Sequence, residues 1–165
     1  MEIRNHTVYD KDLLIRYNRH YLVDFLLKQM PVILLVSVGF SIYYFATGDW
    51  QYGLIFLAMG VLFFVFTLVM QKLTAARQLK KSPLVAHPVP MDFVFRDEEF
   101  QVHGPKGQTV KYFDVQRLFL SRKENLLILM VGGKPQVIDL LKFENAGDWD
   151  QLKGLLVTKI KGKIR

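Results

Sequence analysis

Cysteine is absent from the 165 residues, so disulfides, thiolate nucleophiles and cysteine-ligated zinc are excluded. Charge is missing from one long stretch. Between Gln29 and Gln71 the only Asp, Glu, Lys, Arg or His is Asp49. A conduction path or proton relay across a bilayer normally needs ionisable groups within it, which argues against a transporter. The opening Met1-Glu2-Ile3-Arg4-Asn5-His6 has no apolar run, so no cleavable signal peptide is expected.

Motifs for chemistry are equally scarce. No serine sits in a nucleophile elbow. Gly104 to Gly107 joins two expected strands and opens no helix, so it is not a phosphate loop. His6, His20, His87 and His103 lack metal-ligand spacing; His20 and Asp24, one helical turn apart, make only two donors. Asp97-Glu98-Glu99 reads as a solvated turn whose carboxylates diverge. No catalytic, cofactor-binding or metal-binding residue is assigned, and an enzyme is not expected. No long repeat or low-complexity segment occurs.

What is present is an apolar hairpin. Residues 29–47 come close to the roughly 20 residues that span a hydrocarbon core. Thr47-Gly48-Asp49 breaks the run, and residues 50–70 form a second segment. That segment holds twelve Leu, Ile, Phe or Val residues, each favouring insertion by about 0.3–0.6 kcal/mol. Together they contribute roughly 4–7 kcal/mol, enough to outweigh Gly53, Gly60 and Thr67. Pro31 predicts a kink. Arg16, Arg19 and Lys28 precede the hairpin, and Lys72, Arg77, Lys80 and Lys81 follow it. The connecting turn at 48–49 is therefore expected outside and both termini in the cytoplasm. Tyr43, Tyr44, Trp50 and Tyr52 fit an interfacial aromatic belt around the turn. Gly53, Gly60 and Thr67 recur at heptad spacing, and Ser37 and Ser41 lie four apart. These small residues are the candidate helix seam.

Around the hairpin, residues 1–28 read as a weak strand at 3–9 followed by an amphipathic helix capped by Asp10. Residues 71–90 read as a helical extension stopped by Ser82-Pro83, then an extended linker at 87–90. From residue 91 to 165 the period changes to two. Met91, Phe93 and Phe95 alternate with polar or outward positions, and Phe100 and Val102 continue the pattern. His103 to Gly107 is a hairpin loop. Val110 and Tyr112 belong to a third strand and 115–121 form a fourth. The continuous apolar run 126–131 fits a strand buried on both faces. Gly132-Gly133 suits a turn needing positive φ, and 136–140 returns. Asn145 is the expected cap of a closing helix whose apolar stripe is Trp149, Leu152, Leu155, Leu156 and Ile160.

The formal charge is +7, from 22 Lys+Arg against 15 Asp+Glu. Lys106, Lys111, Arg117, Arg122, Lys123, Lys153, Lys159, Lys161 and Lys163 are the candidate contacts for anionic lipid or a protein partner. Basic groups near a membrane attract anionic lipid by about 1 kcal/mol each. No aromatic–basic stacking platform for nucleic acid is evident.

The order of parts resembles the YcxB-like family of small bacterial membrane proteins. The likeness rests on Met91-Asp92-Phe93-Val94-Phe95-Arg96-Asp97-Glu98-Glu99-Phe100, on 112–119, on Leu126-Leu127-Ile128-Leu129, on Val137-Ile138-Asp139 and on the helix from Asn145. Tyr112-Phe113 stands where that family often has Trp. The resemblance implies a membrane α+β protein: a two-helix transmembrane hairpin, then a pleckstrin-homology-like antiparallel β-barrel or sandwich capped by a C-terminal helix. Six strands are legible from residue 91 onward, one short of the seven such a barrel needs, and residues 3–9 are predicted to return as an edge strand. The family implies no enzymatic activity and a site in the bacterial cytoplasmic membrane. The functional expectation is a membrane-anchored binding module. A structural or homo-oligomeric subunit is the alternative, and protection against a membrane-active peptide follows by analogy alone.

Overall fold

The computed structural model describes residues 2–105 and 107–160. The chain forms two compact units, Met1–Tyr17 with Ser82–Arg165, and Asn18–Lys81. The boundary falls inside the first helix, so the opening strand and two turns of helix belong with the C-terminal half.

Among the described residues of the β unit, seven strands make two antiparallel sheets. β1 (Ile3–Tyr9), β2 (Val89–Phe95), β3 (Glu99–His103) and β4 (Gln108–Lys111) lie side by side in that order. β5 (Val115–Ser121), β6 (Leu126–Val131) and β7 (Lys134–Asp139) form the second sheet. Residues 3–9 thus supply the edge strand, pairing Ile3 with Phe95 through Tyr9 with Val89. β2 begins at Val89, inside the stretch read as linker, because Val89 and Pro90 pair with Tyr9 and Val8.

One core joins the two sheets and the closing helix α3 (Asp148–Lys159). The first sheet gives it Phe93, Phe95, Phe100 and Val102, the second Leu118, Leu127, Leu129 and Ile138, and α3 gives Leu152 and Leu156. The Phe93, Phe95, Phe100 and Tyr112 rings follow one another at centroid spacings of 6.3, 5.5 and 5.9 Å. Tyr112 takes the end of that row, and its hydroxyl donates to the Arg96 carbonyl at 2.9 Å. Burial raises its pKa, as a hydroxyl shut away from water resists ionisation. β6 is buried on both sides because a second cluster lies behind it. Leu126, Ile128 and Val137 pack there with Leu13, flanked by Tyr9 and Tyr17.

The sheets do not close into a barrel. The ladders end at β1 and β4 in one sheet and at β5 and β7 in the other. Where β1 approaches the end of the second sheet, one isolated bridge, Asn5 to Phe143, and several side chains replace a ladder. The turn at Gly132-Gly133 has φ of 54° and 76°, the double positive-φ geometry that favours glycine. α3 opens at Asp148, later than the Asn145 cap expected from sequence, and Gly147 is its N-cap. The reason is local. The Asn145 N–H donates to Asp148 Oδ2 at 3.2 Å, and Asn145 Nδ2 also donates to that carboxylate. The asparagine side chain therefore acts as donor to the acid, while its backbone carbonyl accepts from the Asp148 N–H at 3.2 Å.

The second unit contains most of α1 (Lys11–Ala46) and α2 (Trp50–Lys81). α1 begins where Asp10 Oδ1 accepts from the Leu13 N–H at 2.8 Å, a side-chain N-cap. It runs unbroken through Pro31. At its end the Asp49 N–H donates to the Tyr44 carbonyl and the Gly48 N–H to that of Phe45. Gly48 has φ 88°, completing a Schellman stop. The Asp49 carbonyl then accepts from Tyr52 and Gly53, so α2 starts at once. Both helices are long and apolar enough to cross a membrane, and only 11% of each apolar window is buried. A core helix of a soluble domain would be mostly covered. At 1.5 Å per residue, 36 and 32 residues span roughly 50 Å, more than the hydrocarbon thickness of about 30 Å.

The seam between α1 and α2 mixes small residues and rings. A Cβ on Gly60 would lie 2.8 Å from Ser37 Cβ, and one on Gly53 would lie 2.7 Å from the Phe45 ring. Ser41 is buried, and its hydroxyl donates to the Ser37 carbonyl within its own helix at 2.8 Å. Thr67 is half-buried. Toward the turn, Phe56 stacks on Phe40 and Tyr44 at 5.2 and 5.5 Å. Gly60→Leu should therefore push the helices apart, since Ser37 Cβ is fixed to backbone whereas the Phe45 ring tip can swing. Overpacking of this kind costs about 1–3 kcal/mol. A crosslink between cysteines placed at Phe40 and Phe56, whose rings stack across the seam at 5.2 Å, should form when residue 60 is Gly and drop sharply in the Gly60→Leu chain.

Candidate functional site

Two features of the β unit stand out: a buried polar seam that holds β1, and an exposed set of basic side chains. The seam starts from the sequence of β1, whose inward positions are Ile3, Asn5 and Thr7. Two of these are polar and both are fully buried, so each must find hydrogen-bond partners. Asn5 Nδ2 donates to the Asp139 carbonyl at 2.8 Å. Thr7 Oγ1 donates to Asn5 Oδ1 at 2.6 Å and accepts from the Asp139 N–H at 2.9 Å. Tyr9 Oη accepts from the Val137 N–H at 2.9 Å. Burial pushes the Tyr9 pKa up to about 12. These side chains satisfy edge groups of β7 that would otherwise lack a ladder partner.

Arg16 completes the seam from α1. Its Nη2 donates to Asp139 Oδ2 at 2.5 Å, Nη1 to the Glu124 carbonyl at 3.2 Å, and Nε to Asp12 Oδ2 at 2.9 Å. The Asp139 side chain is only 6% exposed, and its second oxygen accepts from the Leu141 N–H at 3.0 Å. Sequence reasoning missed this pair because its members stand 123 residues apart, and nothing local marks either one.

On the outer face of the first sheet, His6 sits between two carboxylates. Nδ1 is 2.6 Å from Asp92 Oδ1 and Nε2 is 2.9 Å from Glu144 Oε1. The hydrogen bonds to Glu144 and Asp92 raise the imidazole pKa above its ordinary 6.5. Arg4, His6, Asp92 and His103 line a shallow cleft there of 230 Å³, and a separate apolar cleft of 160 Å³ lies among Tyr9, Leu13, Leu14, Tyr17, Leu84, Pro135 and Val137. Both are smaller than the roughly 300–1,000 Å³ of ordinary small-molecule sites. Among the described residues no group of three His, Asp or Glu is placed to hold a metal ion.

The basic residues singled out in the sequence are spread over the unit. Lys111 ends β4, with Nζ 5.8 Å from the centre of the exposed Phe113 ring. Arg117 lies in β5 opposite Met130. Arg122 and Lys123 stand side by side in the β5–β6 turn, and Lys153 and Lys159 are on α3. All six are exposed, and none forms an ion pair with a described residue. Lys106, Lys161 and Lys163 lie outside the described residues. By contrast Arg4, His6, Arg16 and Arg96 are matched with acids. Comparison with family models, with curated proteins and with solved structures finds no match for this chain.

Proposed function

We propose that the protein is a membrane-anchored, non-enzymatic binding module. Its hairpin holds a pleckstrin-homology-like β unit at the cytoplasmic face of a bacterial membrane, with both termini inside. The unit engages anionic lipid headgroups of that leaflet or an acidic membrane-protein partner. The observation that carries this reading is the set of six exposed basic side chains without acidic partners, in a unit whose neighbouring arginines are paired. Such charges are free to meet an external anionic surface. The four-plus-three strand arrangement with a closing helix supports the likeness to pleckstrin-homology domains, and the order of parts supports the YcxB-like reading. Self-association through Gly53 and Gly60 loses support, because Phe45 and Ser37 of the same chain already occupy the space beside them.

The test uses the full chain, because a fragment starting at residue 85 would lack β1 and the Arg16 contact. A fluorophore on Gln151→Cys in nanodiscs should be quenched by headgroup-borne quencher in phosphatidylglycerol discs and released at high salt. The double variant Arg122→Glu/Lys123→Glu should weaken that quenching. Proximity crosslinking in cells covers the protein arm and should return one recurrent acidic partner. Equal quenching in phosphatidylcholine discs, together with only random crosslinked neighbours, would overturn the reading.

A further inference from the structure

We propose that His6 is a pH-operated latch on the seam where β1 meets the chain following β7. The geometry dictates a protonation requirement. A carboxylate accepts hydrogen bonds and cannot donate, and a neutral imidazole has one donor nitrogen and one acceptor nitrogen. His6 faces a carboxylate at each nitrogen, at 2.6 and 2.9 Å. Both contacts are hydrogen bonds only when the ring carries two protons. Removing one sets a lone pair against a carboxylate, so one of the two links must open.

The two links join different elements. Asp92 is the direct cross-strand partner of His6 on β2, where a ladder holds the strands regardless of the side chains. Glu144 follows β7 and has less support: its N–H donates to the Arg4 carbonyl at 3.3 Å, and the preceding Phe143 makes the lone bridge to Asn5. The Glu144 link is the one that yields. Phe143 also packs against Trp149 of α3, with ring centroids 6.4 Å apart, so release at Glu144 reaches the closing helix.

The charged and titratable groups around His6 come from every neighbouring element. Arg4 shares its strand and pairs with Glu2, which precedes it. Asp92 comes from β2 and Glu144 from the segment after β7. His103 of β3, in register with Asp92, lines the same cleft. The bond from the Glu144 N–H to the Arg4 carbonyl and the Asn5–Phe143 bridge do not depend on protonation, which makes the change a loosening of the seam short of unfolding. The direction follows from the raised pKa. The stabilisation is complete below the unfolded value of 6.5 and is lost as pH rises through the higher folded value.

The experiment is hydrogen exchange of the full chain in detergent micelles from pH 5.5 to 8.5, corrected for intrinsic rates, alongside a histidine NMR titration. Opening at Asn5 and Glu144 should increase roughly threefold, the scale of an exposed ion pair, with a midpoint matching that of His6. His6→Gln should flatten the dependence, and Glu144→Gln should lower the midpoint of His6 while leaving the Leu127 and Leu129 amides unchanged. Flat protection across the His6 titration would overturn the proposal. So would the same pH dependence persisting in His6→Gln, which would assign it to His103.

Discussion

Arg16→Ala is expected to lower the stability of the β unit by about 3 kcal/mol. Among the described residues the guanidinium is the only cation bonded to Asp139, whose side chain is 6% exposed. Without it, a carboxylate stays buried with the Leu141 N–H as its remaining side-chain donor, and the Glu124 carbonyl loses a donor as well. The first turns of α1 would also lose their polar tie to the sheet that Leu13 and Tyr17 cover, exposing apolar surface at Ile128 and Val137. Thermal denaturation should show a loss of roughly 12 °C or more, taking about 4 °C as the smallest shift per kcal/mol for a unit near 100 residues. The double variant Arg16→Ala/Asp139→Asn should recover part of the loss, because the stranded charge is gone, and the coupling energy reads the pair directly. Lys28→Ala provides the contrast. Its contact with Asp24 is an i,i+4 surface pair, and its removal should cost no more than about 0.5 kcal/mol. A loss below about 1 kcal/mol for Arg16→Ala would mean that Asp139 is well hydrated and that the apolar packing of Leu13 alone seats the helix.

Phe100→Ala should be at least as damaging, at about 3–5 kcal/mol. The ring is fully buried and lies between Phe95 and Tyr112 at 5.5 and 5.9 Å. Its neighbours are themselves ring residues that cannot collapse into the space without leaving their rotamers. Since domains of this size are stable by only about 5–15 kcal/mol, the variant should be largely unfolded well below the parent's transition. Near-ultraviolet circular dichroism, which reports Tyr112 and its neighbours, should lose intensity before the helical signal of the hairpin does. Phe113→Ala, removing a ring that is 72% exposed, should leave the transition in place. Equal sensitivity at Phe100 and Phe113 would contradict the location of the core.

The hairpin was legible because its signal is redundant. Length, apolar content and the position of the one charge all mark the same boundaries. β5 and β6 fall at the ranges read from the sequence, 115–121 and 126–131; β6 is apolar on both faces, while β5 keeps its range despite a register shift between Val115 and Arg117 that breaks its alternation. β1 was harder for a physical reason. Its inward residues are Ile3, Asn5 and Thr7, while His6 and Val8 point outward, so hydrophobic alternation understates a strand held through polar side chains. The seam depends on partners more than 100 residues away, and no local pattern encodes that separation. The start of α3 misled for the opposite reason. Asn145 and Asp148 have capping identities and spacing, but the asparagine donates to the acid. The basic surface could be named residue by residue in the sequence. Only the folded chain distinguishes the arginines engaged by acids, Arg4, Arg16 and Arg96, from cations such as Arg117, Arg122 and Lys123 that face solvent.

The anchored arrangement can be tested with the residue the chain lacks. Single cysteines at Asp49, in the turn between α1 and α2, and at Lys123, in the β unit, would be the only thiols in the protein. A membrane-impermeant maleimide applied to intact cells, or to spheroplasts if an outer membrane blocks it, should label Asp49→Cys directly. It should label Lys123→Cys only after the inner membrane is opened. Labelling of both positions without permeabilisation, or of Lys123→Cys alone, would contradict a hairpin that crosses the membrane twice and keeps the β unit inside.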